Sequence, residues 1–306
     1  MDLPIRLMPA AGWCKTIDHV RALVKIPTIS HIVMGSFTKE TREGNTGGTT
    51  FHVREDGTSF NSLGLPNGGM PYLEKHLAQM LEIAYDADKM PIVNIAADTP
   101  EEYCELARFA NEAGARVVEL NFGCPNKFGT GGNQKEIASY NIDLMRKTLA
   151  LIRMRCSVTI WLKLSPFANP EERVRVAGLI MEMLGKYKLT ELSQFGGITV
   201  CNTYPNCVPR DENGKKIIDA KNTNGRAGMA GTGLRDIALA NVEHFMELLQ
   251  GVPIYGAGGI STWKHLAAFS QLGCKGGQIG TAFFHGENFR IFEEVMTGFL
   301  HQYEAK

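Results

Sequence analysis

The chain has 306 residues, 44% hydrophobic and 21% charged, which is enough apolar material for a large buried core. Lys+Arg 32 balances Asp+Glu 32, so no global field favours nucleic acid or an anionic membrane surface. Seven scattered cysteines without a CxxC pair argue against a disulfide framework or a cysteine zinc site, and with no apolar run of membrane-spanning length and no secretory signal at Met1-Asp2-Leu3-Pro4 they point to a cytoplasmic protein.

Short apolar runs alternate with stretches of helical period along the whole chain. Strand Ile5–Ala10 leads to helix Thr16–Leu23, His31–Phe37 to Tyr72–Ala87, and Pro91–Ala96 to Pro100–Ala113. Thr99-Pro100-Glu101-Glu102 is an N-cap followed by a proline and two acids that suit the helix dipole. Val117–Phe122 leads to Ile142–Met154, Thr159–Leu164 to Pro170–Lys186, and Gly197–Cys201 to Asp236–Gln250. Val252–Tyr255 with Trp263–Gln271 and Gly277–Gly280 with Asn288–Gln302 complete the series. Eight such repeats predict a (β/α)8 TIM barrel, with residues 1–306 forming a single domain. An open doubly wound sheet uses the same alternation, but no GxGxxG follows the first strand.

Two long polar insertions, Thr38–Pro71 and Thr203–Gly233, interrupt the repeat and read as loops. Both follow strands, as does the segment around Cys124, and loops after strands form the catalytic face of such a barrel. Three polar segments are therefore expected at one mouth.

The chemistry concentrates in Val117-Val118-Glu119-Leu120-Asn121-Phe122-Gly123-Cys124-Pro125-Asn126. A buried parallel strand breaks at Gly123 and Pro125, leaving a thiol framed by the carboxamides of Asn121 and Asn126. Such a group could hold a polar planar ligand and move one proton on it; equally, Cys124 could be a small buried hydrophobe. Lys163 is a lone cation in an apolar strand, pointing either into the mouth or outward along the surface. Asn202-Thr203 ends the sixth strand as Asn121 ends the fourth, and Asn94 either faces inward or bonds within the barrel. Glycine turns after the last two strands, Gly256-Ala257-Gly258-Gly259 and Gly280-Thr281, suit a phosphate bound by backbone N–H groups. No HExxH and no His–Cys spacing suggests a metal.

Asn61-Ser62-Leu63-Gly64-Leu65-Pro66-Asn67, Glu119 to Asn126, Leu162-Lys163-Leu164, Ala238-Leu239-Ala240-Asn241-Val242, Arg42-Glu43-Gly44-Asn45 and the glycine turns together resemble the soluble, cysteine-type (class 1) dihydroorotate dehydrogenases. The resemblance implies an FMN-binding barrel, usually dimeric in its one-subunit branch, that oxidises dihydroorotate to orotate in pyrimidine biosynthesis. It implies Cys124 as the base for the C5 proton while a hydride leaves C6 for flavin N5, and Lys163 as the charge beside flavin N1. Asn61, Asn121, Asn126 and Asn202 would bind the pyrimidine edge, with Thr203 where the family has serine. The backbone of Leu63, Gly64 and Leu65 would meet the substrate carboxylate. Ala10, Ala11, Gly12, Ser36, Gly231, Gly258, Gly259, Gly280 and Thr281, with Asn94, Asn121 and Lys163, would hold FMN.

Two departures stand out. Gly35 occupies the position of a family lysine near flavin and carboxylate, so either Lys39 or Arg42 replaces it or the substrate lacks that charge. The stretch Lys127–Asn133 is glycine-rich and unlike the usual lid. Three functions follow: a dihydroorotate dehydrogenase using a soluble acceptor such as fumarate; a flavin oxidoreductase of another pyrimidine-like ring; or a non-catalytic FMN-binding barrel. Asn-Phe-Gly-Cys-Pro also resembles tRNA dihydrouridine synthases, but no basic face or RNA-binding helical domain is evident. A separate iron–sulfur/FAD subunit passing electrons to NAD stays open as the oxidant.

Overall fold

The computed structural model describes residues 5–128, 133–186 and 195–304. The apolar runs become β1 (Arg6–Pro9), β2 (His31–Phe37), β5 (Met90–Ile95), β6 (Val117–Asn121), β7 (Thr159–Leu164), β8 (Phe195–Val200), β11 (Ile254–Ala257) and β12 (Gly276–Ile279). Helices α1 (Ile17–Leu23), α2 (Gly69–Asp86), α3 (Pro100–Glu112), α4 (Ile142–Arg155), α5 (Pro170–Lys186), α6 (Arg235–Leu248), α7 (Trp263–Gln271) and α9 (Arg290–Glu304) alternate with them. The strands pair in parallel in the order β1-β12-β11-β8-β7-β6-β5-β2, a barrel with one seam between its first two strands. At that seam Ser30 N–H donates to Leu7 O at 3.3 Å.

Local sequence explains where the helices start. Thr16 Oγ1 accepts from His19 N–H at 3.2 Å, Thr99 Oγ1 from Glu102 N–H at 3.2 Å, and Asn141 Oδ1 from Leu144 N–H at 2.9 Å. Pro71 lies inside the first turn of α2, not ahead of it, because the N–H that proline lacks has no intrahelical acceptor there.

The barrel interior is filled in layers. Met8, Val33, Ile92, Val117, Trp161 and Tyr255 form the apolar floor, with Trp161 stacked on Tyr255 at 4.1 Å. The next layer is polar: Asn94, Glu119 and Lys163 lie two residues further along β5, β6 and β7, Thr199 and Gln278 join them from β8 and β12, and all five are buried. Above this layer the barrel opens.

The two insertions are not loops alone. They supply β3 (Phe51–Val53), β4 (Thr58–Asn61), β9 (Tyr204–Cys207) and β10 (Ala227–Gly231), which pair antiparallel in the order β3-β4-β10-β9. Asn61 lies opposite Gly228 and Thr58 opposite Gly231, so residues from distant parts of the chain form one cap over the mouth. A short α8 (Thr281–Phe284), absent from the sequence reading, follows β12 directly. Of the glycine-rich stretch Lys127–Asn133, residues 129–132 lie outside the described residues. No described helix is long and apolar enough to cross a membrane.

Candidate active site

Between the barrel mouth and the cap lies a solvent-open cleft that, open solvent included, encloses about 1000 Å³. One end is built from carboxamides. Asn121 ends β6, and its Nδ2 donates to Ser36 Oγ at 2.8 Å while its Oδ1 accepts from Asn202 Nδ2 at 2.9 Å. Asn126 Nδ2 donates to Asn61 Oδ1 at 2.6 Å, tying the segment after β6 to the cap. Thr203 N–H donates to Asn202 Oδ1 at 2.8 Å, while Thr203 Oγ1 is buried with no protein partner. A buried hydroxyl without a partner costs free energy unless a ligand meets it.

Cys124 lies in this end, 8% exposed, beside Leu63, Gly64 and Leu65. Burial pushes its thiol pKa up; the Asn126 backbone N–H and the charges of Lys127, Arg42 and Lys15 pull it back. Lys127 is itself anchored, donating to Ala97 O at 3.0 Å and Asp98 Oδ1 at 2.7 Å. Burial works to raise the Asp98 pKa, but hydrogen bonds and charges from Lys127 and Lys135 outweigh it and hold the carboxyl at about 2.

The opposite end is glycine. Gly231, Gly258, Gly259, Gly280 and Thr281 line it, with Ser59 Oγ 2.7 Å from Thr281 Oγ1. Gly259 has φ +69°, and a Cβ there would come within 3.0 Å of Gly231 O, so the close backbone approach requires glycine. The cleft continues into a second hollow of about 630 Å³ that shares Gly231, Gly259, Gly280 and Thr281 and reaches Ser261 and His285. Ala10, Ala11, Gly12 and Phe284 form a small-residue and aromatic wall between the ends.

Lys163 rises from β7 into the floor of the cleft. Its Nζ donates to Gln278 Oε1 at 2.7 Å, and Gln278 Nε2 donates to Glu119 Oε1 at 3.0 Å. Glu119 also accepts from Asn94 Nδ2 at 2.5 Å and Thr199 Oγ1 at 2.7 Å. Burial lowers the Lys163 pKa and the Glu119 charge raises it. The cation is thus held by a neutral amide, with its balancing carboxylate on the far side of that amide in the same polar layer.

The structure therefore gathers into one cleft the sequence-predicted residues, Asn94 excepted. Asn94 is fully buried within the polar layer, where it supports Glu119 and does not line the cleft. Sequence reasoning missed Lys15, Ser59, Glu119, Gln278 and Phe284. Among the described residues no group of three His, Cys, Asp or Glu side chains is placed to hold a metal ion.

A family model described as "Dihydroorotate dehydrogenase" matches residues 1–302. The chain belongs to the dihydroorotate dehydrogenase family. It is 29% identical over 286 residues to the "Dihydroorotate dehydrogenase B (NAD(+)), catalytic subunit" of Geobacillus kaustophilus, covering 93% of this chain and 83% of the relative. It is 28% identical over 300 residues to a protein of Streptococcus agalactiae named as a dihydroorotate dehydrogenase A (fumarate), covering 94% and 86%. These names denote oxidoreductases acting on a CH–CH bond. The crystal structure of DHODH in complex with ferulenol from Eimeria tenella shares the fold, with TM-score 0.75 and 16% identity over 98% of this chain and 81% of that one.

Neither expected replacement for the family lysine at Gly35 reaches the cleft. Lys39 is drawn outward into an ion pair with Glu105 at 2.9 Å. Arg42 spends its Nε on Gly64 O at 3.0 Å, behind the lining. Nor does position 35 have room for a side chain: φ is +107°, and a Cβ would lie 2.3 Å from Asn94 O.

Proposed function

We propose that this protein is an FMN-dependent dihydroorotate dehydrogenase in which Cys124 removes the C5 proton. Membership of the family supports dihydroorotate as substrate, and the observation that carries the mechanism is Cys124 sharing one cleft with a ring of carboxamides and a buried lysine.

The cleft suits FMN on its own features. The glycine end offers backbone N–H groups and hydroxyls but no acid, as a phosphate requires. The Lys163 ammonium, bonded to a neutral amide, faces the centre, where an electron-rich ring would lie. Gly231, Gly258, Gly259, Gly280 and Thr281 would hold the phosphate; Ala10, Ala11, Gly12, Ser36 and Asn121 would flank the ring. FMN supplies the hydride acceptor.

The chain's own residues then divide the work. Asn61, Asn121, Asn126 and Asn202 orient a pyrimidine edge through donors and acceptors already fixed by their mutual bonds. Thr203 Oγ1 adds a hydrogen bond that the free protein leaves unmade. The Cys124 thiolate takes the proton from ring carbon, and its neighbouring cations favour that thiolate against the cost of burial. The Lys163 charge favours electron density on the ring beside it.

Denaturing the purified protein and identifying the released chromophore tests the cofactor. FMN is expected, not FAD, because the described residues build one glycine-lined phosphate cradle. Protein that carries no flavin and takes up none on reconstitution would overturn the proposal.

A further inference from the structure

Charge in the ring-binding end of the cleft is unevenly distributed. Its lining residues are amides, hydroxyls, thiols and backbone, and among the described residues, apart from Lys163 in the floor, Lys15 is the one charged side chain that lines the cleft. Lys15 follows β1, on the loop that enters α1, and its Nζ lies 2.6 Å from Pro66 O, next to Leu63, Gly64 and Leu65. Among the described residues it forms no ion pair with a carboxylate. One carbonyl uses one of the three ammonium donors, leaving two for a ligand. A partly buried cation without a counter-ion, facing a cleft, is matched by an anion entering that cleft.

We infer that Lys15 binds the anionic substituent of a planar ring substrate, a carboxylate in the ring plane, at the edge lined by Leu63 to Pro66. The inference rests on the pyrimidine-ring reading above and assigns it a residue. The geometry around Gly35 supports the placement. Gly35 has no room for a side chain, yet its main chain grips the Lys15 loop from both sides: Gly12 N–H donates to Gly35 O at 2.6 Å and Gly35 N–H donates to Cys14 O at 2.7 Å. The Lys15 backbone N–H is tied in turn to His19 Nδ1 at 3.2 Å. The loop that carries the cation is thereby fixed, so little ordering entropy is lost when it meets a ligand. Burial lowers the Lys15 pKa to about 8 while the Cys124 charge raises it, as expected for an ammonium waiting for an anion.

The test is calorimetric binding to the purified holoprotein, with wild type, Lys15→Met and Lys15→Arg. The probes are orotate, uracil, which has the same ring without the carboxylate, and benzoate, which has the carboxylate without the pyrimidine. Wild type should bind orotate more tightly than uracil. Lys15→Met should lose about 10- to 100-fold in orotate affinity, leave uracil unchanged and retain its melting temperature, and Lys15→Arg should recover part of the loss. Equal orotate affinity in wild type and Lys15→Met would overturn the inference, and a shifted pH profile of Cys124 alkylation in that variant would then assign Lys15 to the thiol. Benzoate bound by wild type and lost in Lys15→Met, with neither pyrimidine bound, would keep the anion site and sink the pyrimidine reading. Binding of none of the three would overturn both.

Discussion

Glu119→Gln tests the buried charge beneath the cleft. Glu119 is fully buried and accepts three hydrogen bonds, from Asn94, Thr199 and Gln278, and through Gln278 it balances Lys163. Glutamine keeps the shape but removes the charge, and turns an amino group toward a site surrounded by donors. Removing one partner of a buried pair costs about 3–5 kcal/mol, because the other charge stays buried without compensation. At about 2.1 cal/mol/K per residue, the unfolding entropy of the 306-residue chain is about 0.64 kcal/mol/K, so the melting temperature should fall by about 5–8 °C. The pH dependence has a definite sign. Burial already holds Lys163 below its ordinary pKa, and without Glu119 the folded-state value falls further. A lysine whose folded pKa is depressed destabilises the fold while the unfolded chain is protonated, and that penalty shrinks as pH rises towards the unfolded value. The deficit between variant and wild type, measured by circular dichroism melts, should therefore narrow from pH 7 to more alkaline solution. A drop under about 1 °C, or one that does not change with pH, would refute the claim that Glu119 balances Lys163.

Four further outcomes are expected. Cys124→Ala should slow ring oxidation by about 10²–10⁴-fold while the flavin stays bound, since the thiol sits away from the glycine end; loss of flavin in that variant would make Cys124 structural. Because burial raises the Cys124 pKa and the reactive form is the thiolate, the reductive rate should climb with pH to alkaline values, and stopped-flow traces flat from neutral pH upward would contradict this. Thr203→Val should leave the melting temperature of the free protein unchanged or raise it, since its buried hydroxyl has no protein partner, yet weaken ring binding measured by flavin absorbance. Asp98→Asn should free Lys127 and speed iodoacetamide labelling of Cys124; in wild type the Asp98 contribution is present above the unfolded carboxyl pKa and is lost as pH falls through about 2, so labelling unaffected by the substitution would show that the anchor does not reach the thiol.

The barrel was legible because its signals are local: each parallel strand is a short apolar run, and Thr99-Pro100 and Thr16 mark helix starts by side-chain chemistry alone. The cap sheet was not, because its four strands have three to five residues and pair across long distances, Asn61 with Gly228. One part of it did carry a signal: Asp56-Gly57 separates Phe51–Val53 from Thr58–Asn61, and a DG turn between two short runs marks a hairpin. The site was legible where residues sit at strand ends, as with Asn121, Cys124 and Asn202. Glu119 could have been found with Lys163, as opposite charges each alone in an apolar strand, and the parallel register sets Asn121 beside Lys163. Lys15 had no such mark. Its place in the cleft comes from the loop geometry around Gly35, where backbone hydrogen bonds hold the loop that carries it.

The central claim is that this cleft oxidises dihydroorotate using the Cys124 thiol and a bound flavin. Dihydroorotate added without oxygen to the FMN-loaded protein should bleach the yellow absorbance and yield one orotate per flavin, and Cys124→Ala should bleach far more slowly. Flavin that stays fully oxidised under dihydroorotate, in protein that still binds orotate, would contradict it.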